Sequence, residues 1–438
     1  MTRLIAAFGL WVACALPALA TVDIVEVDTP DGHAAWLVED HSIPFVAMEI
    51  VFRGGTSLDP EGKRGAVDMM ASLLSQGAGE MSAQEFAAAR DDLAASISFD
   101  AGDDSVSLSM RFLTETTDAA TALAATALAD PAFSDAAIER VRGQTLSNLR
   151  SRTQDPDDIA SDAFAARVYA DGHPYATPGM GTRDSVTALT RADLVAAHDA
   201  AIARDRVVIA AAGDITAERL GAVIDAMMAD LPETGAPLPQ AADLTFGGGV
   251  EVVDFATPQT VVSFGQPGIA RDADDFFPAF VANQILGGGG LGSRLMEEVR
   301  EKRGLTYGVY SYLMNKDHAD FLAGRTATAN ARAGETVEVI REEWRRMAED
   351  GPTAQELEDA KTYLIGGYPL RFDGNASIAR ILAGMQLDGL SPDYVTTRND
   401  RVRDVTLDEV RRVAGELFAP EALTFVLVGQ PEGLPAGN

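Results

Sequence analysis

The sequence predicts an α+β protein of two homologous halves, each a mixed, mainly antiparallel sheet with helices packed on one side. Three observations carry that reading: an internal duplication, a central stretch with the composition of a linker, and apolar patterns that alternate between the strand and helix periods. The duplication is clearest in "LTRADLVAAHDAAIARDRVVIAAAGDI", from Leu189, and "VTLDEVRRVAGELFAPEALTFVLVGQP", from Val405. In each, a threonine suited to an N-cap precedes an amphipathic helix, and the helix leads to an apolar strand that ends in glycine. Thr190 and Thr406 lie 216 residues apart, as do Gly213 and Gly429.

Taken from the N-terminus, residues 1–20 read as a signal peptide. Arg3 supplies a short basic start, 4–16 is almost wholly apolar, and Ala18-Leu19-Ala20 has the small-x-small pattern of a cleavage site. The apolar run is short for a membrane span, and the segment lacks the Arg- and Ser-rich amphipathicity of a transit peptide. Export and cleavage after Ala20 are expected, which gives a periplasmic address and no membrane association afterwards. The single cysteine, Cys14, falls within the leader, and Trp11 stands where a lipoprotein signal would want a Leu-like residue. Disulfides and thiolate metal ligands are therefore not expected in the mature chain.

A helix is predicted over 66–75. In "SISFDAGDDSVSLSMRF", Ile97 and Phe99, then Val106, Leu108, Met110 and Phe112, alternate with polar residues about a turn at 101–104, the pattern of a hairpin with one buried face. A helix follows over 134–150. The stretch 231–250, "LPETGAPLPQAADLTFGGGV", has three prolines, four glycines and little periodicity. It divides the chain into an N-terminal half at 21–230 and a C-terminal half at 251–438. In the latter, "VYSYLMNKDHADFLAG" reads as the counterpart of the first hairpin, and 335–349 reads as a helix. The 438 residues are 47% hydrophobic and 23% charged, a globular composition. The net charge of −31 comes with no Lys/Arg cluster and argues against nucleic acid as a partner.

"GGGGLGSRLMEEVREKRGLTYGVYSYL" begins at Gly287. Gly287, Gly289 and Gly292 match a dinucleotide-loop pattern literally, but the preceding "FFPAFVANQIL" has helical spacing, and no acid lies between Gly304 and Lys316 at the distance a ribose would need before Asp317. No G-K-[ST] is present. The run reads as a helix end and a flexible loop, either a hinge or a surface that contacts peptide. Ser293 can cap the next helix, which carries Leu295, Met296 and Val299 on its apolar side and Arg300 in its last turn. Gly304 suits the helix stop, and Tyr307 opens the following strand.

"LGSRLMEEVREKRGLTYGVYS", together with "PEGKRGAVDMMASLLSQG" at 60–77, "GHPYATPGMGT" at 172–182 and the duplicated halves, resembles the pitrilysin (insulinase-like) zinc peptidases in their bacterial two-subunit branch. The resemblance covers essentially the mature chain and implies half of a clamshell. It also implies that Arg300 and Tyr307 reach a catalytic chamber and donate to a substrate carbonyl and its developing oxyanion, with Gly287, Gly288, Gly289 and Gly290 beside the peptide. From the residues alone, Arg300 paired with a nearby glutamate and Tyr307 in a core is the competing account.

The family's zinc motif, His-x-x-Glu-His, falls on "GAVDMMASLLSQ". There the metal-ligand and base positions hold Asp68, Ala71 and Ser72, and the distal glutamate falls near Ser147 or Asn148. No histidine occurs between His41 and His173, so a shifted alignment does not restore the motif. The resemblance therefore implies a chain that binds no cofactor itself and is probed best as the non-catalytic subunit of a periplasmic heterodimer. A paralogous partner would carry the zinc motif and the zinc, and peptides would be the substrates. A peptide-binding or scaffold protein of the same fold is the alternative from another class. A self-sufficient peptidase would need a metal site built from unmatched residues.

Overall fold

The structure, a computed structural model, describes residues 23–434; the expected leader and its cleavage site lie outside them. The first half contributes strands β1 (Val25–Asp28), β2 (Ala34–Glu39), β3 (Phe45–Arg53), β4 (Ser96–Ala101), β5 (Ser105–Leu113) and β6 (Val207–Gly213). Its helices are α1 (Ala66–Leu73), α2 (Ala83–Asp92), α3 (Thr117–Ala129), α4 (Asp135–Arg152), α5 (Pro156–Val168), α6 (Arg183–Ala188), α7 (Arg191–Ala201) and α8 (Ala217–Met228). The second half has β7 (Val250–Asp254), β8 (Gln259–Pro267), β9 (Thr306–Lys316), β10 (Ala319–Ala329) and β11 (Thr424–Gly429). Its helices are α9 (Phe276–Asn283), α10 (Ala333–Glu349), α11 (Ala354–Gly367), α12 (Asn375–Leu387), α13 (Tyr394–Asp404) and α14 (Leu407–Leu417). Among the described residues no helix is long and apolar enough to cross a membrane.

The two sheets have the same plan. The first runs β1-β2-β6-β3-β5-β4 and the second β7-β11-β8-β10-β9, so β1 alone lacks a counterpart. In each sheet one pair of the shared strands is parallel, β2 with β6 and β7 with β11, and the other pairs are antiparallel. The matched threonines begin corresponding helices with the same capping box. The amides of Asp193 and Glu409 donate to the hydroxyls of Thr190 and Thr406 at 3.3 Å, and each acidic side chain accepts the threonine's own N–H at 2.8 Å. Gly213 and Gly429 end the corresponding strands β6 and β11.

Each half lays its own helices over one face of its sheet, where the large cores form around Phe52, Met70, Phe86 and Phe112 in the first half and Phe264, Trp344 and Phe425 in the second. The far faces are covered by exchange. Helix α12 of the second half packs on β3 and β6 of the first sheet, burying Trp36, Ala210, Leu382 and Met385. Helix α5 of the first half packs on β8 and β11 of the second sheet, where Ala160 meets Val261 and Val428. Gln386 on α12 donates to the carbonyl of Ile209 at 2.9 Å. This explains why β3 and β8 are buried along nearly their whole length while β5 alternates: the central strands have two covered faces and the outer hairpin has one.

The tips of the corresponding hairpins also meet. Lys316, at the β9–β10 turn, bonds Asp103 of the β4–β5 turn at 2.5 Å, and its ammonium lies 4.3 Å from the Tyr175 ring centroid. The amide of Asp317 donates to Asp104 at 3.2 Å, and Arg53 pairs with Asp317 at 3.2 Å.

Candidate functional site

The helix on which the resemblance places the zinc motif, α1, is part of the packing. Val67, Met70 and Leu74 of the α1 segment are buried in the first core, and Asp59 holds the start of the helix by accepting N–H bonds from Gly65 at 2.7 Å and Val67 at 2.9 Å. The face where ligands would stand does not fit a zinc ion. Ala71 has no donor atom and is buried, Ser72 is exposed and neutral, and Asp68 is the one carboxylate of the motif. Burial, with Asp100 nearby, pushes the Asp68 carboxyl up to about 6 despite Arg64. One carboxylate beside an alanine and a neutral serine does not make a zinc ligand set. On α4, Ser147 and Asn148 are exposed, and Asn148 accepts a hydrogen bond from Gln144 at 2.9 Å. Among the described residues no group of three His, Cys, Asp or Glu side chains is arranged to hold a metal ion. His173 caps the turn at Pro174–Ala176, its Nδ1 accepting the Tyr175 amide at 3.2 Å.

The corresponding region of the second half is irregular. Helix α9 runs into a π-helical turn over Gln284–Gly288, then a short turn at Gly290–Gly292 and a second π-helical segment over Met296–Glu301. The glycines divide by role. A Cβ at Gly287 would stand 2.7 Å from the Ser311 amide nitrogen, closer still to its hydroxyl, and 2.9 Å from Leu295, so this glycine is required by contact with β9. Asn283 and Ser311 lock that contact: the serine hydroxyl donates to Asn283 Oδ1 at 2.7 Å, and Asn283 Nδ2 donates to the Ser311 carbonyl at 3.1 Å. Gly288, Gly289 and Gly290 are less buried, with a Cβ at Gly290 meeting nothing within 4 Å and one at Gly289 standing 2.8 Å from the Gln284 carbonyl oxygen. Ser293 caps the next segment with a long bond, its hydroxyl accepting the Met296 amide at 3.4 Å.

Arg294 anchors the same segment from within. Its guanidinium forks onto Glu356 of α11 at 2.6 and 2.9 Å and donates to the Gly351 carbonyl at 2.9 Å. Burial would raise the Glu356 carboxyl, but Arg294 and the Thr353 amide and hydroxyl together hold it down at about 2. Leu295, Met296 and Val299 are buried, as the apolar side of the segment requires. Gly304 has φ 59° and stops the helix.

Arg300 and Tyr307 stand beyond this anchored segment. The glutamates near Arg300 are taken by other cations: Glu297 and Glu298 by Lys302, and Glu298 also by Arg303 at 2.6 Å. Among the described residues Arg300 makes no side-chain ion pair, and the pairing that competed with a functional role is absent. Tyr307 is 90% exposed, so a place in the core is absent too.

A β-bulge explains that exposure. Thr326 pairs with Val309 and Thr328 with Thr306, so β9 carries one residue more than β10 between these pairs. Strict alternation would put Tyr307 on the buried face with Val309 and Ser311. The extra residue moves it to the open face with Tyr310 and Tyr312, both exposed. Threonines fix the bulge: Thr326 donates to the Gly308 carbonyl at 2.8 Å, Thr328 to the Leu305 carbonyl at 2.7 Å and Thr306 to the Ala327 carbonyl at 2.8 Å. The threonines at alternate positions of "RTATA" were the sequence trace of this device, and sequence reasoning passed over them.

Chemically, the region offers a guanidinium and a phenol on an anchored segment, with glycine backbone preceding them and, among the described residues, no metal-binding set of their own. The description "Peptidase M16 inactive domain" matches residues 188–364. A relative named non-peptidase homolog YmxG, from Helicobacter pylori, is 26% identical over 390 residues, covering 89% of this chain and 90% of its own length. A relative named as an uncharacterized zinc protease, from Mycobacterium bovis, is 30% identical over 286 residues, covering 64% of this chain and 65% of its own. The solved structure of a peptidase M16 inactive domain from Pseudomonas fluorescens superposes with a TM-score of 0.87 at 29% identity, over 94% of this chain and 98% of that one.

Proposed function

The chain belongs to the M16 (pitrilysin/insulinase-like) peptidase family, of inactive type, and from that premise we propose that it is the non-catalytic subunit of a heterodimeric periplasmic zinc peptidase. The observation that carries the reading is the contrast between a ligand face that does not fit zinc and an Arg300/Tyr307 pair left free of protein partners. In this reading a paralogous subunit brings His-x-x-Glu-His and its zinc, and the two chains close around a peptide. Arg300 holds a substrate carbonyl, and Tyr307 donates to the oxygen as negative charge grows on it. Gly288, Gly289 and Gly290 offer backbone to the same peptide, while Gly287 serves the fold.

The test is capture of the tagged mature chain from its native source, with identification of what comes with it and metal analysis of the complex. The reading expects a chain of similar size that carries the zinc motif, and zinc that leaves with that chain when the complex is split. Capture of peptides alone, with no zinc-motif chain, supports the scaffold reading instead.

A further inference from the structure

A cleft of about 390 Å³ lies between α9, α12 and α13, away from Arg300 and Tyr307. In a chain of net charge −31, its lining has four arginines and one acid. Two of the arginines have carboxylates near them. Arg271 lies 3.9 Å from Asp388, and Arg380, 73% exposed at its side chain, lies 3.9 Å from Glu49. Arg371 and Arg398 have no carboxylate partner among the described residues.

Arg398 is the informative one, because it is only 6% exposed. Its Nη1 donates to the Leu364 carbonyl at 2.8 Å and to Asn399 Oδ1 at 3.0 Å, and its guanidinium carbon lies 4.7 Å from the Tyr368 ring centroid and 5.6 Å from that of Phe280. Burial pulls this guanidinium below its ordinary pKa; the Tyr394 and Tyr368 phenols offset part of that cost, and no carboxylate among the described residues does. A buried cation supported by rings and neutral acceptors lacks one component, a negative charge. The walls define what should carry that charge. Phe276, Phe280, Tyr368 and Met385 offer apolar surface, which a fully hydrated phosphate would not use. Asp388 in the same lining opposes a second negative charge.

We propose that this cleft binds an organic carboxylate with an apolar body, its carboxylate between Arg371 and Arg398 and its apolar part against the aromatic walls. The carboxylate could come from a peptide C-terminus or from a free small acid, and the proposal does not depend on a peptidase partner. The experiment is calorimetric titration of the full mature chain with four probes: N-acetyl-Leu-Phe as the free acid, the same dipeptide as its amide, 3-phenylpropionate and inorganic phosphate. The free acids are expected to bind, with the amide and phosphate at least about tenfold weaker. Stronger binding of the dipeptide acid assigns the site to peptide C-termini; stronger binding of phenylpropionate assigns it to free acids.

Arg371→Met, at an exposed position, should weaken acid binding about tenfold without changing the melting temperature. Arg398→Met, titrated after circular dichroism shows it folded, should weaken it further. No binding by either acid, equal binding of acid and amide, phosphate binding as tight as the acids, or unchanged affinity in Arg371→Met would overturn the proposal.

Discussion

The region around α1 and α2 and the region from α9 to β9 occupy corresponding places in the two halves, and they are built differently. The first is built of ordinary α-helices, with crowded positive-φ glycines at Gly65 and Gly77 in the turns that flank α1. Helix α1 packs in the first core, Ser82 and Glu85 form a capping box at α2, and the face at Asp68, Ala71 and Ser72 has an alanine, a serine and an aspartate raised by burial. The second has two π-helical segments and a bulge that turns Tyr307 outward. Irregular backbone costs stability and persists where surrounding structure enforces it. Here the enforcement is visible in Arg294 with Glu356, Asn283 with Ser311 and the threonines beneath the bulge. The contrast teaches that a helix can keep its packing face while its other face has no metal-binding set, and that an irregular segment is held by specific side-chain contacts.

Changes in the two regions should therefore read out differently. The largest effect is expected from Arg294→Ala, which leaves Glu356 without its fork. Urea unfolding should show a loss of about 3–5 kcal/mol, and hydrogen exchange should quicken from the glycine loop to Arg300. A loss under about 1 kcal/mol would mean that the segment is held by something other than this pair. Next in size, Tyr307→Phe should raise the barrier of the assembled peptidase by about 2.7–4 kcal/mol, a rate factor of about 10²–10³ in single turnover. The same variant should melt like wild type, since the lost hydroxyl belongs to an exposed side chain. Lowered melting with normal turnover would reverse its assigned role.

In the first half the expected change has the opposite sign. The Asp68 carboxyl is raised in the folded state, from 3.8 to about 6, so the folded chain binds its proton more tightly than the unfolded chain does. Its favourable contribution is complete below about pH 4 and is lost as pH rises to about 6. Asp68→Asn should accordingly stabilise the protein by about 2–3 kcal/mol at pH 7 and by little at pH 4. Unfolding curves at the two pH values check this, and an equal effect at both would show that the carboxylate is not penalised in the fold. The smallest effect is expected from Ser82→Ala, which removes the cap of α2 for about 1 kcal/mol and leaves turnover unchanged.

Much of the plan was legible because it repeats. The capped helix, apolar strand and terminal glycine recur at one spacing, and the 96–112 segment alternates cleanly because only one face of that hairpin is covered. The exchanged helices were not legible. Nothing local in the α5 or α12 sequences says which half each will cover, although the nearly continuous burial of β3 and β8 is reflected in apolar runs such as "FVAMEIVF". The outward turn of Tyr307 was hidden for a related reason. A period of two is assumed until a bulge breaks it, and this bulge is specified by threonines on the neighbouring strand. The departure from the zinc motif at Asp68, Ala71 and Ser72 was legible without coordinates, because residue types alone show that both histidines and the glutamate are absent there.

The central claim is that this chain supplies part of a site whose metal lies elsewhere. The most direct measurement is single-turnover cleavage of a fluorogenic peptide by the chain alone, by its zinc-motif partner alone, and by the two mixed. The account predicts cleavage that depends on mixing and is abolished by a chelator, with neither chain active by itself. Chelator-sensitive cleavage by this chain alone, or a partner that cuts equally fast without it, would contradict the account.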